Sequence, residues 1–258
     1  MMDYNYHTHT KRCGHATGDD EEYIARAIEG GVRRMGFSDH APFAFPDGFE
    51  SHYRVQMSEA PDYFSSLRAL RERYAEKIDI LIGFEMEYYP SFFDKMLENV
   101  KNLGAEYLIL GQHYVSDERP SSIPSTKGTS DTELLKSYVD CVLDGMRSGV
   151  FSYVAHPDII KFFGDEAIYR EEMVKICDEA LRLDIPLEIN FLGIRAGRKY
   201  PNPIFWEIAG ERGAPVTFGF DAHAPGDAFD GKSLKIAEEM VRDYRLNYIG
   251  EPKIIRLK

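Results

Sequence analysis

Two histidines one residue apart, His7 and His9, are the first place in this chain where side chains could share a chemical task. Residues at i and i+2 of a strand face the same way. Two imidazoles leaving the β-prone stretch Tyr4 to Thr10 in parallel can therefore close on one metal ion. His15, His40, His113, His156 and His223 follow along the chain, with carboxylates at Glu85 and Asp221. Imidazole and carboxylate together suit zinc, iron(II), manganese or cobalt. Seven imidazoles and two carboxylates exceed the needs of one four- or six-coordinate ion, so two or three ions sharing a carboxylate are expected. No cysteine falls at a strand end, which argues against a thiolate site. Such a centre acidifies water and polarises phosphoryl or carbonyl oxygens, which is the chemistry of hydrolysis.

What could bring these residues together is a regular βα succession. Hydrophobic patterning predicts strands ending at the His-x-His, at Ser38-Asp39-His40, at Gly83-Phe84-Glu85, before His113, before His156-Pro157, at Asn190, and at Phe220 before Asp221-Ala222-His223. Helices are predicted between them, over 20–29, 59–77, 92–103, 132–147, 166–183, 201–211 and 233–244, with Asp19 or Asp20 and Asp131 as caps. A short β-like tail closes the chain. Seven strands alternating with helices form parallel βα units, either an open sheet or a barrel. An open sheet usually carries a glycine-rich phosphate loop after its first strand, and histidines stand there instead. A barrel gathers every strand's C-terminal end at one mouth. The expectation is an α/β fold, a distorted (β/α)7 barrel spanning residues 1–258 as a single domain, with its active site at the C-terminal ends of the strands.

Length, 43% hydrophobic and 29% charged content fit one globular domain. No apolar run is long enough for a membrane span, and no basic-then-apolar leader opens the sequence. Cys13, Cys141 and Cys177 are too few and too scattered for a disulfide framework, so a reducing cytoplasm is expected, with Cys141 and Cys177 as buried filler. A net charge of −12 disfavours nucleic acid as a partner. It leaves room for a small anion at a site where cations supply local positive charge. His52 stands apart in a long loop and is not expected to bind metal, which leaves it at most a residue lining the substrate. Glu87 reads as a rim residue, and Asp39 as an acceptor positioning His40.

In order and over nearly the whole chain, His7-Thr8-His9, His15, Ser38-Asp39-His40, Gly83-Phe84-Glu85, His113, His156-Pro157 and Asp221-Ala222-His223 resemble the polymerase-and-histidinol-phosphatase (PHP) superfamily. Within it the sequence is most similar to histidinol-phosphate phosphatases, through His40-Ala41-Pro42, Ile82 to Tyr88, Glu188-Ile189-Asn190, Gly193-Ile194-Arg195 and Tyr200-Pro201. The resemblance implies a PHP-type barrel with three divalent ions (zinc, iron or manganese). One would take His7, His9, Glu85 and Asp221; a second Glu85, His113 and His156; a third His15, His40 and His223. Phe220 and Glu87 depart from the family pattern at the rim of the site.

The resemblance further implies hydrolysis of L-histidinol phosphate, in histidine biosynthesis, by a hydroxide bridging two ions. Glu85, Asp221 and Arg195 would act in catalysis. Arg195, Arg198 and Lys199 form a basic cluster in an acidic chain. Arg195 is the preferred phosphate contact, with Arg54 and Arg198 as further substrate-binding candidates. Asp47, Glu50, Asp117 and Glu118 are candidates for the substrate's amine and imidazole, with Phe43, Phe45 and Tyr114 for stacking. Two alternatives are another small phosphate ester, such as a nucleotide or sugar phosphate, and a non-catalytic metal-binding module. A barrel of the amidohydrolase kind would be expected to place a lysine after a mid-chain strand, and no strand here ends in one.

Overall fold

A computed structural model describes residues 2–119 and 122–257. Among the described residues, eight strands and eight helices follow in order, two helices standing between β6 and β7: β1 (Tyr4–Asn5), α1 (Asp20–Glu29), β2 (Arg34–His40), α2 (Ala60–Tyr74), β3 (Asp79–Met86), α3 (Phe93–Leu103), β4 (Leu108–Leu110), α4 (Thr132–Arg147), β5 (Phe151–Val154), α5 (Glu166–Leu183), β6 (Leu187–Asn190), α6 (Phe191–Arg195), α7 (Pro203–Arg212), β7 (Pro215–Gly219), α8 (Gly231–Asp243) and β8 (Asn247–Tyr248). Local chemistry sets the helix starts. Glu22 accepts the Asp19 N–H at 2.7 Å, Asp131 accepts from Glu133, and Asn202 caps α7 ahead of Pro203.

All strands are parallel and pair in chain order from β1 to β8. Ring closure is local. Thr8 bridges Ala222 in parallel, His9 N–H donates to the Ala222 carbonyl at 3.0 Å, and Asn5 Oδ1 accepts the Phe220 N–H at 3.1 Å. Seven strands thus meet at the end that carries the histidines. At the other end the tail, expected only to be β-like, forms β8 beside β7, and Tyr4 Oη donates to the Gly250 carbonyl at 2.8 Å. The architecture expected from the sequence is present, with this short eighth strand added.

The segment 191–200, which falls between the expected strand end at Asn190 and the helix expected from 201 and so reads as a loop in the sequence, opens with helix α6. Asn190 ends β6 and accepts the Gly193 N–H at 3.0 Å, so strand passes to helix without an intervening turn. Strand residues such as Ile80, Ile82, Phe84, Leu108, Leu110, Val154, Ile189 and Val216 form one core with the inner helix faces. Cys13, Cys141 and Cys177 are free and buried. Among the described residues no helix is long and apolar enough to cross a membrane.

Candidate metal centre

Where the strands end, seven imidazoles and two carboxylates come within a few ångströms of one another. Glu85, on β3, is at the middle. Its Oε2 lies 3.5 Å from both His7 Nε2 and His9 Nε2 and 3.2 Å from His40 Nδ1. Its Oε1 lies 2.8 Å from His156 Nε2 and 3.6 Å from His113 Nε2. Asp221 Oδ1 is 3.6 Å from His7 Nε2 and 3.3 Å from His9 Nε2. His15 and His223 meet Nε2 to Nε2 at 3.1 Å. Every residue expected from the sequence as a metal ligand is in this cluster. His52 is exposed and apart from it.

Most of these separations are too long for good hydrogen bonds. Two donors each ~2.1 Å from a zinc ion at the tetrahedral angle lie about 3.4 Å apart, which is the spacing found. Buried polar atoms are normally paired. Here His7 Nε2, His9 Nε2, both His40 nitrogens, both Glu85 oxygens, His156 Nδ1 and Asp221 Oδ1 are buried with no hydrogen-bond partner. The donor set therefore fits divalent ions. Compact donor groups recur as His7, His9 and Glu85, as His7, His156 and Asp221, and as the expected trio His15, His40 and His223.

Behind the rings stand acceptors that fix their orientation. Glu188 Oε1 is 2.8 Å from His7 Nδ1, Asp39 Oδ1 is 3.3 Å from His9 Nδ1, and Glu87 Oε1 is 3.1 Å from His113 Nδ1. A proton on each Nδ1 leaves the Nε2 lone pair facing inward, as a metal ligand requires. Two expectations are corrected here, and one residue is added. Asp39 serves the His9 ring, because β2 places its carboxylate beside the neighbouring strand; His40 contributes only its backbone N–H. Glu87 is no rim residue: it is 1% exposed, wedged between His113 and Arg54. Glu188 was given no role from the sequence, yet it is fully buried, and its Oε2 also accepts the His156 N–H.

Backbone geometry is shaped to the same end. His156 (φ 33°) and Asp221 (φ 47°) occupy the left-handed region, a strain of about 1–3 kcal/mol each that persists only where surroundings impose it. Two strand-end glycines make room for carboxylates. A Cβ at Gly111 would lie 1.9 Å from Glu85 Oε1, and one at Gly219 would lie 1.6 Å from Glu188 Oε1. Gly111→Ala is expected to displace the Glu85 carboxylate and lower kcat/KM by about 100-fold or more, with unchanged far-UV circular dichroism. A variant of full activity would contradict this placement of Glu85.

Burial alone would raise the Glu85 carboxyl and lower the His7 imidazole. Instead the imidazoles of His113, His7, His156 and His40 hold Glu85 well below the carboxylate range. Against the cost of burial, Glu188, Asp221 and Glu85 push His7 up to about 10. His40, buried among the other imidazoles, is held well below its ordinary value. Within the cluster, charge is balanced locally, by groups that can exchange protons for cations.

The centre floors a cavity of about 460 Å³ walled by Tyr53, Tyr114, Pro124, Thr126, Ile159, Leu192 and Tyr200, with Arg198 on its rim. Tyr53, not singled out from the sequence, stacks on His15 with ring centroids 4.8 Å apart. Of the stacking candidates only Tyr114 lines the cavity. Phe43 and Phe45 are buried against Phe92. The four loop carboxylates lie elsewhere: Glu50 is exposed, Asp47 and Asp117 pair with Arg119, and Glu118 pairs with Arg54 at 2.5 Å.

Arg54 does not reach the cavity. It is 1% exposed and spends its donors on Glu118, Glu87 and the Ala41 carbonyl. Arg195 does not line it either; its Nη1 and Nη2 donate to the carbonyls of Phe220 and Asp221. Arg198 is thus the substrate-binding candidate that the fold places at the cavity.

A family model for the PHP domain matches residues 5–191. A probable histidinol-phosphatase of Deinococcus radiodurans is 29% identical over 246 residues, covering 92% of each chain. A histidinol-phosphatase of Lactococcus lactis is 25% identical over 205 residues, 73% of this chain and 71% of that protein. Among solved structures, the Lactococcus lactis histidinol phosphate phosphatase complexed with zinc, L-histidinol and phosphate superposes with a TM-score of 0.71 at 20% identity, over 95% of both chains. The Listeria monocytogenes protein, described as a histidinol phosphatase, gives 0.73 at 22% identity, over 90% of this chain and 99% of that one. At these identities the superpositions establish the fold.

Proposed function

The chain belongs to the PHP domain family, and from that premise we propose that it is a metal-dependent phosphomonoesterase that converts L-histidinol phosphate to L-histidinol and phosphate. The observation that carries this reading is Glu85: a buried carboxylate with both oxygens unpaired, ringed by five imidazoles at the floor of a closed-in cavity. His7, His9, Glu85 and Asp221 would hold one ion; Glu85, His113 and His156 a second; His15, His40 and His223 a third. Bound divalent ions supply Lewis acidity toward phosphoryl oxygens and bring the pKa of a coordinated water near neutrality.

The protein's own groups do the rest. Glu188, Asp39 and Glu87 keep His7, His9 and His113 in the tautomer whose Nε2 faces the substrate side. Phosphoryl transfer spreads negative charge over the equatorial oxygens, where a guanidinium on the cavity wall stabilises it. Arg198 Nη1 donates to Tyr200 Oη at 3.2 Å, which aims that guanidinium along the wall. Tyr53, Tyr114 and Tyr200 wall off bulk water and offer aromatic surface to the imidazole ring that the leaving alcohol carries.

Arg198→Met is expected to raise KM for the phosphate ester about tenfold or more, with metal content unchanged, in steady-state phosphate-release kinetics. An unchanged KM would remove Arg198 from substrate binding.

One feature favours a second reading, a phosphatase of broader scope. Among the described residues lining the cavity, the acidic ones are Glu85 and Asp221, both in the donor cluster, so none is left over for an amine. A panel of monoesters tests the choice. Histidinol phosphate favoured at least about tenfold in kcat/KM over sugar phosphates and nucleotides supports the sharper reading. A flat profile supports the broader one, and no hydrolysis with metals loaded rejects both.

A further inference from the structure

The turn after β7 has two jobs. It sets Asp221 Oδ1 3.3 Å from His9 Nε2, and two residues later it brings His223 against His15. It manages both with Asp221 in the left-handed region, where a non-glycine residue stays only if held. The side chain is held through Oδ2, which accepts from Asn190 Nδ2 at 2.9 Å. On the backbone, Asn5 Oδ1 accepts the Phe220 N–H at 3.1 Å, and one guanidinium takes the two carbonyls that flank the strained residue. Arg195 Nη1 donates to the Phe220 carbonyl at 2.6 Å and Nη2 to the Asp221 carbonyl at 2.5 Å. Its Nε faces Asp227 Oδ1 at 3.2 Å, and Asp230 Oδ2 is 3.9 Å from Nη1. Two carboxylates offset its charge and two consecutive carbonyls occupy its planar fork, so little is left to attract an anion.

We infer that Arg195 is a positioning residue of the metal centre, locking the Phe220–Asp221 turn so that Asp221 and His223 present their donor atoms together. The inference rests on the metal-dependent reading of the same site. Helix α6 is the device that delivers it: five residues wound directly off β6 turn Arg195 toward the end of β7 and leave Arg198, three residues on, at the cavity.

Arg195→Met and Arg198→Met, each stripped of metal and titrated with zinc, separate the two roles. Arg195→Met is expected to hold its ions about tenfold or more weakly than the wild type. The visible spectrum of its cobalt(II) form should shift, and at saturating metal its loss should fall on kcat with KM within about twofold. Arg198→Met should keep wild-type metal binding and spectrum. Wild-type metal affinity in Arg195→Met, with the loss confined to KM and to weaker inhibition by inorganic phosphate, would overturn the inference and make Arg195 a phosphate contact. Should Arg195→Met fail to fold, Arg195→Lys keeps the charge without the two-pronged fork and carries the test with the same two outcomes. Wild-type protein that takes up no metal would instead defeat the proposed function itself.

Discussion

Glu85→Gln is expected to lower kcat/KM by about 1,000-fold or more and to remove at least one equivalent of bound metal. The carboxylate is the only described group whose two oxygens face two sets of imidazoles, His7, His9 and His40 on one side, His113 and His156 on the other. An amide of the same size keeps the packing but loses the charge, and its NH2 end has no lone pair to offer a cation. A thousandfold loss is about 4 kcal/mol of transition-state stabilisation. Metal analysis beside steady-state kinetics checks it. A glutamine variant with full metal content and wild-type turnover would show that Glu85 bridges nothing.

Removing the ions should be as costly and reversible. Dialysis against a chelator is expected to abolish phosphate release, and adding back zinc, manganese or iron(II) should restore it. Stability should follow. A ligand present at a thousand times its dissociation constant stabilises the native state by about 4 kcal/mol. For a chain of this size that corresponds to a melting temperature lower by roughly 10 °C after stripping. The physical cause is the buried cluster itself: without cations, the unpaired atoms of His7, His9, His40, Glu85, His156 and Asp221 are desolvated for no return. Differential scanning calorimetry of stripped and reloaded protein reads the difference. Equal melting temperatures and undiminished hydrolysis in chelator would contradict a metal centre.

The barrel, and the convergence of seven histidines, Glu85 and Asp221 at its mouth, were largely legible in the sequence because their logic is one-dimensional. In a parallel βα ring every strand ends at the same mouth, so a histidine at a strand end is placed as soon as the strand is recognised. What stands behind the imidazoles was not legible. Glu188 supports His7 across 181 residues, and that pairing depends on which face each strand turns inward and on how the ring closes between Thr8 and Ala222. Asp39 was rightly expected to be an acceptor and wrongly matched with the imidazole next to it in sequence. The carboxylate reaches sideways to His9, on the segment that follows the adjacent strand β1. Glu87 looked peripheral because it stands beyond the expected strand end at Glu85 and has no evident partner in the sequence. The loops carrying Arg54 and Glu118 fold over it and bury it. Arg195 changed its apparent role because a five-residue helix replaced an expected loop and rotated the side chain away from the cavity.

The most direct test is anomalous diffraction from crystals grown with zinc, collected on both sides of its absorption edge. Strong anomalous peaks are expected inside the cluster, with one bounded by His7, His9, Glu85 and Asp221 and another by His15, His40 and His223. Crystals whose only anomalous peaks lie on the protein surface, with the Glu85 carboxylate hydrogen-bonded to imidazoles and water, would contradict it.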